Sequence, residues 1–308
     1  MNFLAAYIMQ GRLQACIVAS SLVLLSLIMP PLISLVVIIV SFATIALVTL
    51  RKGFSEGLYV LLCSSVAAAL LGALLVWQYQ FAFLMLVSCL MMWIPVWLIA
   101  FILREGRYLA LAIELPILLG VIGVVGFYLY ATDPTPATMW ANKVAPFLDK
   151  LPKEAPVEDI QRLVDFSSHY MTGAVAAGSV FGVLFGLFLA RWWQANLYNP
   201  GGFKQEFLAL ETKPRLSIGT IAVLAIALAS SGVISEVAWN VSILLFVLYT
   251  VTGTAVLHTV FAGMKLGRYM VPMLYITLFL IPHAMLLVAL VGLSDPWLDL
   301  RKKKIESI

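Results

Sequence analysis

Few ionisable side chains fall inside the long apolar stretches of this sequence, and they are the first candidates for chemistry. Glu114 lies about two helical turns after Arg107 and directly before Leu115-Pro116, where a proline can free a backbone carbonyl. His258 and His283 also lie within apolar stretches. An ionisable group in hydrocarbon is costly unless a partner or a water-filled cavity receives it. Glu114, His258 and His283 are therefore candidate ligand or proton sites, and structural roles are the alternative.

Two further polar groups lie at the ends of apolar stretches. His169-Tyr170 is typical of a membrane–water interface, where amphipathic rings collect. Glu236 and Asn240 flank Trp239, and we expect them either to be interfacial or to line an outer vestibule. No HxxxH or HExxH pattern accompanies the histidines of the apolar stretches, so the sequence predicts no metal site and no cofactor.

The sequence carries no common motif of nucleotide or acyl-transfer chemistry. A GxxxxGK[ST] phosphate loop, a glycine-rich dinucleotide turn and a GxSxG elbow are all missing. Cys16, Cys63 and Cys89 occur in apolar stretches without a CxxC pattern, so no disulfide is predicted. Glu114 is the only acid well inside a predicted span, which excludes a buried carboxylate pair. We therefore expect a protein that is not an enzyme and, at a net charge of +4, not a nucleic-acid binder.

Helices in a lipid bilayer must position these residues, because 63% of the chain is hydrophobic and only 11% is charged. A helix needs about 20 apolar residues to cross the hydrocarbon, where backbone polar groups must bond internally. The sequence therefore predicts an all-α, polytopic transmembrane bundle of eight or nine spans. The apolar segments are approximately 13–29, 31–50, 57–77, 81–103, 108–131, 170–193, 217–233, 237–262 and 269–292.

Basic residues predict the orientation of these spans, since short cytoplasmic loops retain Lys and Arg. With the N-terminus in the cytoplasm, Arg51, Lys52 and Arg104 lie inside, whereas the short outer turns hold no basic residue. Nine crossings would place the basic tail 301–304 outside, against this rule. A re-entrant segment at 217–233 or 269–292 would leave eight crossings and an internal tail. Segment length slightly favours nine.

The chain is predicted to divide into membrane regions 1–131 and 170–308, separated by an extracytoplasmic segment 132–169. Apolar residues at helical spacing in that segment predict two short amphipathic helices, which either cap the bundle or shape the entrance of a ligand cavity. A turn at Asn199-Pro200-Gly201-Gly202 begins an amphipathic piece within loop 194–216. That loop is expected to be a membrane-lying connector, with a docking surface for a cytoplasmic partner as the alternative.

Small residues recur every fourth position along the sixth predicted span. Spacing of four places such residues on one stripe, where helix backbones can approach closely in lipid. We expect the stripe to pack on another helix of the chain, with a second membrane protein or a second copy of the chain as the alternative. The stripe consists of Ala174, Gly178, Gly182, Gly186 and Ala190.

Three stretches carry a resemblance to known families. Residues 12–72, with Ala15-Cys16-Ile17-Val18-Ala19, a proline-marked turn and a small-residue helix after Gly53, look like the N-terminal half of S components of energy-coupling-factor transporters. The turn at 199–207 and the stretch 292–302 resemble YybS-like bacterial membrane proteins. The long outer segment and the spans after residue 193 depart from a six-helix S component.

The resemblance implies a bacterial inner-membrane protein with an S-component-like core and extra C-terminal helices. It also implies that Ala15 and Ala19 face a membrane-embedded partner protein, as the first helix of S components does. Two functions follow: a subunit that binds or transports a small-molecule ligand, with Glu114 as its polar group, or a membrane scaffold that recruits partners through loop 194–216 and the basic tail. The first is preferred. An internal cavity of several hundred Å³ lined by Glu114 or His258 would favour it, whereas a close-packed interior would favour the scaffold.

Overall fold

A computed structural model describes residues 2–76, 79–106, 108–148 and 157–301 of the protein. Over these ranges it contains 13 helices and no strand, and 89% of it is helical, which confirms the predicted all-α class. Some of the predictions depend on residues outside the described ranges, namely Arg107, residues 149–156 and residues 302–308, which include most of the basic tail.

The helix bounds follow the predicted spans closely in the first part of the chain. The helices are α1 (Asn2–Gln10), α2 (Arg12–Ile28), α3 (Pro31–Lys52), α4 (Phe54–Val76), α5 (Tyr79–Gly106), α6 (Leu109–Tyr130), α7 (Pro136–Leu148), α8 (Val157–Tyr198), α9 (Gly202–Leu208), α10 (Pro214–Ala229), α11 (Gly232–Ala262), α12 (Gly267–Leu280) and α13 (Ala284–Leu298).

Six of these helices are long and apolar enough to cross a membrane, which makes the chain a multi-pass membrane protein. They are α3, α4, α5, α6, α8 and α11. Four further apolar helices, α2, α10, α12 and α13, are shorter. The one helix that the sequence prediction missed, α1, places Ala5 and Ile8 in the interior although it is too short to be read as a span.

The chain divides into two compact units that interleave in sequence. Unit 1 contains residues 1–116 and 181–209, and unit 2 contains residues 117–180 and 210–308. The units therefore differ from the predicted regions 1–131, 132–169 and 170–308. The difference arises because α6 and α8 are continuous helices whose two halves belong to different units, and helical periodicity does not reveal which neighbours each half will meet.

Two tryptophans of α5 fix the core of unit 1. The indole of Trp93 is fully buried and donates a hydrogen bond to the Ser41 hydroxyl of α3 at 3.0 Å. The indole of Trp97 donates to the backbone carbonyl of Phe54, at the start of α4, also at 3.0 Å. Buried tryptophan N–H groups need such partners, so these bonds set the register of α5 against both helices.

Small residues allow α8 to approach α3 within unit 1, but only along part of the predicted stripe. Gly182, Gly186 and Ala190 are buried, and a Cβ atom at Gly186 would lie 2.5 Å from the Cβ of Phe42. Ala174 and Gly178 are exposed instead, and nothing lies within 4 Å of a Cβ built at Gly178.

Ala15 and Ala19 of α2 are fully buried inside the chain. A partner protein therefore cannot reach them in this structure, which corrects the expectation taken from the S-component resemblance. Small side chains at these positions serve packing between helices of the same unit, as α2 packs on α3 and α4.

The predicted loop 194–216 is mostly ordered as helix. Helix α8 continues to Tyr198, past its expected end at residue 193, and α9 folds back after Gly201, whose φ of +87° suits a glycine. The guanidinium of Arg191 makes a two-bond ion pair with Glu206, and Phe203 and Phe207 pack on Phe188. α9 is thus held against α8.

The C-terminal segment 269–292 was expected to form one crossing, and the structure divides it into α12 and α13 around residues 281–283. α10 and α11 are antiparallel, since Ser235 donates to the carbonyl of Ala227 and Tyr249 bonds to Thr220. α12 starts just after α11 ends, and Arg301, just after α13, donates to the carbonyl of Leu210 near the start of α10. α12 and α13 therefore leave and return at the same end of unit 2, an arrangement that fits the eight-crossing alternative.

Candidate functional site

Unit 2 contains an open cavity of about 820 Å³ at the ends of several helices. Its wall combines hydroxyl groups and aromatic rings with the side chains of His169 and Glu236. The aromatic residues are Tyr128, Tyr170 and Trp239, and the hydroxyl-bearing ones include Thr132, Thr135, Ser230, Ser231 and Ser235. A volume of about 300–1,000 Å³ with a few convergent polar groups is typical of small-molecule sites.

Glu236, in the second turn of α11, is the centre of the polar wall. One carboxylate oxygen accepts a hydrogen bond from the Tyr128 hydroxyl of α6 at 2.6 Å, and the other lies 2.8 Å from Nδ1 of His169 on α8. The Glu236 side chain is only 16% exposed, whereas that of His169 is 54% exposed. A carboxylate with so little solvent contact needs these donors, because hydrogen bonds to the charged form offset its desolvation.

Asn240, one helical turn after Glu236, connects α6, α8 and α11 through hydrogen bonds. Its side chain is fully buried, and its amide nitrogen lies 2.7 Å from the carbonyl oxygen of His169 and 2.8 Å from that of Glu236. Its amide oxygen accepts from the backbone N–H of Gly173, and Tyr128 lies within 3.2 Å of its nitrogen. One side chain thus fixes α6, α8 and α11 relative to one another within the unit.

A glycine makes this approach possible. A Cβ atom at Gly173 would lie 2.6 Å from the backbone oxygen of Asn240, a distance that real side chains do not adopt. Gly173 therefore lets the backbones of α8 and α11 come close enough for the Asn240 side chain to reach the N–H of Gly173.

The segment 132–169, which the sequence predicts to be extracytoplasmic, contributes to the same cavity. Trp140 of α7 donates a hydrogen bond to the Thr172 hydroxyl of α8 at 2.8 Å, which holds α7 on unit 2. Thr135 and Pro136, at the start of α7, line the cavity. The second predicted amphipathic helix, from residue 157 onward, is not separate, because it forms the beginning of the 42-residue α8.

The three residues predicted to form a ligand or proton site do not meet in the structure. Glu114 is half-buried in α6, and no hydrogen bond or ion pair joins it to any other described residue. His258 lies near the end of α11, with its Nδ1 2.8 Å from the Tyr275 hydroxyl of α12. His283 is exposed in the break between α12 and α13. The lining of the 820 Å³ cavity includes none of them.

Sequence reasoning gave Glu236 and Asn240 a minor place and took His169 for an interfacial residue. Each of them is at the end of an apolar stretch, where interfacial water can solvate a polar side chain. A polar residue at such a position therefore does not by itself indicate a binding site. The available signal was the clustering of Glu236, Trp239 and Asn240 along one helix face, combined with the cap segment that begins at residue 132. Nothing in the sequence paired them with Tyr128.

Within the described residues, no group of three or more His, Cys, Asp or Glu side chains is arranged to hold a metal ion. The cavity instead offers a carboxylate acceptor, a histidine ring and several hydroxyl groups. Aromatic rings beside them provide an apolar surface. Such a wall can bind a small molecule that combines hydrogen-bond donors with an apolar body.

Comparison with known protein families gives a match in the last third of the chain. Residues 205–296 match a family model described as a predicted membrane protein, DUF2232. The matched range runs from α9 to α13 and contains Glu236 and Asn240. No curated protein and no solved structure matches the chain. The family match and the apolar helices agree that this is an integral, multi-pass membrane protein.

Proposed function

We propose that the protein is a membrane subunit that binds a small polar solute in the cavity around Glu236, as part of a transport process. The supporting observation is the nearly buried Glu236 carboxylate in the wall of an 820 Å³ cavity, with donors from two other helices. A scaffold formed only by helix packing has no need of an ionisable wall in an open cavity. The ordinary expectation for such a site is a ligand.

The lining indicates the kind of solute. Among the described residues of the wall, Glu236 alone carries a carboxylate, and the hydroxyl groups of Thr132, Thr135 and Ser231 add weaker acceptors and donors. A solute with an amine, amide or hydroxyl donor can replace His169 at the carboxylate and lay its apolar part against Trp239. Charge-assisted hydrogen bonds of this type are stronger than neutral ones.

Binding is proposed in preference to catalysis. The hydroxyls of Ser230 and Ser235 donate to the helix carbonyls of Ile226 and Ala227, so neither is activated by His169. The carboxylate of Glu236 is engaged by Tyr128 and His169 rather than being paired with a second carboxylate. The arrangement holds a ligand and supplies no nucleophile–base pair.

The position of α9 favours solute binding over a scaffold role. The Arg191–Glu206 pair and the contact of Phe203 and Phe207 with Phe188 fold α9 back on its own unit. The groups that were expected to recruit a cytoplasmic partner are thus engaged internally. Solute binding is also what the S-component resemblance implies, but a coupling subunit has no access to Ala15 and Ala19.

The same proposal includes a location and a topology. Eight crossings, formed by α2 to α6, α8, α10 and α11, put both termini in the cytoplasm of a bacterial inner membrane, and α12 with α13 forms a re-entrant pair. This arrangement places the basic connecting segments and Arg301 on the cytoplasmic side, as the distribution of Lys and Arg requires. The cavity then opens on the outer face.

Native mass spectrometry of the protein purified in mild detergent tests the proposal. We expect an additional small-molecule mass on the wild type, and loss of that mass in Glu236→Gln, which keeps the shape of the side chain but removes its charge. Asp165→Asn is the matched control, because Asp165 lies on α8 outside the cavity and bonds to Gln161. The proposal is wrong if the wild type carries lipid and detergent only, or if both variants retain the ligand equally.

A further inference from the structure

A second cavity, in unit 1, is lined mainly by charged groups. Its volume is about 610 Å³, and its polar lining consists of Arg51, Arg104, Glu105, Arg191, Gln194 and Glu206. The residues come from the C-terminal ends of α3, α5 and α8 and from α9. It shares no residue with the cavity around Glu236, so the two sites can be tested separately.

Three guanidinium groups outnumber two carboxylates in this lining, which leaves the cavity positive. Arg191 is fully engaged, since it pairs with Glu206 through two nitrogens and donates its third to Gln194. The excess of positive charge therefore resides on the other two arginines.

Arg51 and Arg104 are only weakly compensated. Arg51 lies over the Tyr198 ring at 4.1 Å, and no ion pair joins it to any other described residue. Arg104 lies 3.7 Å from a Glu105 oxygen, beyond hydrogen-bond distance, and its contact with the Thr49 carbonyl is long at 3.4 Å. Stacking on a ring leaves the N–H edge of a guanidinium available, so both arginines retain donors for an anion.

The ligand chemistry follows from these donors. Planar guanidinium groups match the oxygens of a phosphate in two-bond geometry, and pairs of arginines are the common means of binding it. The three arginines follow the apolar parts of α3, α5 and α8, which are long enough to cross a membrane. Phospholipid headgroups are expected at this level of such helices. Basic pockets at this level between membrane helices bind anionic headgroups.

We propose that the cavity between Arg51, Arg104 and Gln194 binds a phosphate group, carried either by an anionic phospholipid or by a small soluble phosphate compound. Arg51 and Arg104 supply the charge-assisted donors. The Arg191–Glu206 pair forms the rigid floor, because both of its members are already satisfied. A bound phosphate would tie the ends of α3, α5 and α8 together.

Two measurements separate the possible sources. In the first, the protein is reconstituted in nanodiscs of equal parts phosphatidylglycerol and phosphatidylcholine, and the lipids retained after release into the mass spectrometer are counted. In the second, thermal unfolding in detergent is followed with inorganic phosphate or with sodium chloride at equal ionic strength. Selective retention of phosphatidylglycerol indicates a lipid, and stabilisation by phosphate without such retention indicates a soluble ligand.

Variants connect either signal to the cavity. Arg51→Gln and Arg104→Gln should each weaken retention or the phosphate midpoint about tenfold, whereas Arg51→Lys should keep part of it because the charge remains. Arg268→Gln is the matched control, since Arg268 also stacks on a tyrosine, Tyr269, at 4.7 Å but lies outside this cavity. Circular dichroism confirms that each variant is folded.

The proposal is overturned if the wild type shows neither selective phosphatidylglycerol retention nor stabilisation by phosphate. It is equally overturned if Arg268→Gln reduces the signal as much as folded Arg51→Gln and Arg104→Gln do, because the effect would then be general surface charge. A failure here leaves the Glu236 cavity untouched, and loss of solute from that cavity would leave the phosphate signal unchanged.

Discussion

Gly253 and Gly292 face each other where α11 packs against α13: a Cβ atom built at Gly292 would lie 2.7 Å from the backbone nitrogen of Gly253. Two helix backbones can approach this closely only when both positions lack a side chain. The contact holds the α12–α13 pair against α11, and so it fixes the end of unit 2 at which α13 ends.

Replacing Gly292 by valine should therefore destabilise the protein by about 2 kcal/mol or more, because the added atoms overlap backbone that cannot move aside. Thermal unfolding in detergent measures the effect. Gly123→Val is the control, since nothing lies within 4 Å of a Cβ at that position. Equal melting temperatures for the two variants would show that α11 and α13 are not in close contact.

Three glycines of α8 should respond differently to leucine. A Cβ at Gly186 overlaps Phe42, a Cβ at Gly182 makes an ordinary contact of 3.5 Å with the Phe42 ring, and a Cβ at Gly178 meets nothing. We expect the loss in melting temperature to fall in that order, with Gly178→Leu close to the wild type. Because helix propensity changes equally in all three variants, the order isolates packing. A large loss for Gly178→Leu alone would contradict it.

Asn240→Ala should lower the free energy of unfolding by about 2–3 kcal/mol, since it leaves the buried N–H of Gly173 and two carbonyl groups without the Asn240 side chain. Ser88→Ala, which removes an exposed hydroxyl bonded only to the Leu84 carbonyl of its own helix, should change it little. Chemical denaturation monitored by tryptophan fluorescence gives both values. If the two variants unfold alike, Asn240 does not connect the helices.

The C-terminus should lie on the cytoplasmic side of the membrane. A green fluorescent protein fused after the last residue is expected to fluoresce in bacterial cells, and alkaline phosphatase at the same position is expected to be inactive. The control fusion follows Thr132, between α6 and α7, where the phosphatase should be active. The reverse pattern at the C-terminus would show that α12 and α13 together cross the membrane.

The helices themselves could be predicted from the sequence because a lipid environment permits few backbone conformations. Backbone groups in hydrocarbon must bond internally, so an apolar run of sufficient length becomes a helix wherever it occurs. The prolines at 30–31 mark the boundary of α2 and α3 correctly for the same local reason. The break at 281–283, beside Pro282, does not follow from the sequence in this way, since a proline can also be tolerated within a membrane helix.

The site could not be predicted in this way, because it depends on which ends of the helices meet. Tyr128 and His169 lie 108 and 67 residues from Glu236 along the chain, and no local pattern relates them. Glu114 was a candidate because an ionisable residue inside an apolar segment can be recognised from the sequence. Its position in the sequence does not show which other groups it contacts. The predicted stripe on α8 shows the same limit, since small residues permit close packing without specifying where along the helix a neighbour lies.

The sequence by itself determined that this protein lies in a lipid bilayer, that it is all-helical and where most of its helices begin and end. All three follow from local hydrophobicity and the need to give each backbone polar group a hydrogen bond. Only the tertiary structure decided that α12 and α13 return to the end they left, and that Glu236 rather than Glu114 lines a cavity. Both depend on contacts between residues far apart in the chain, where close approach at a few glycines sets which polar groups can reach one another.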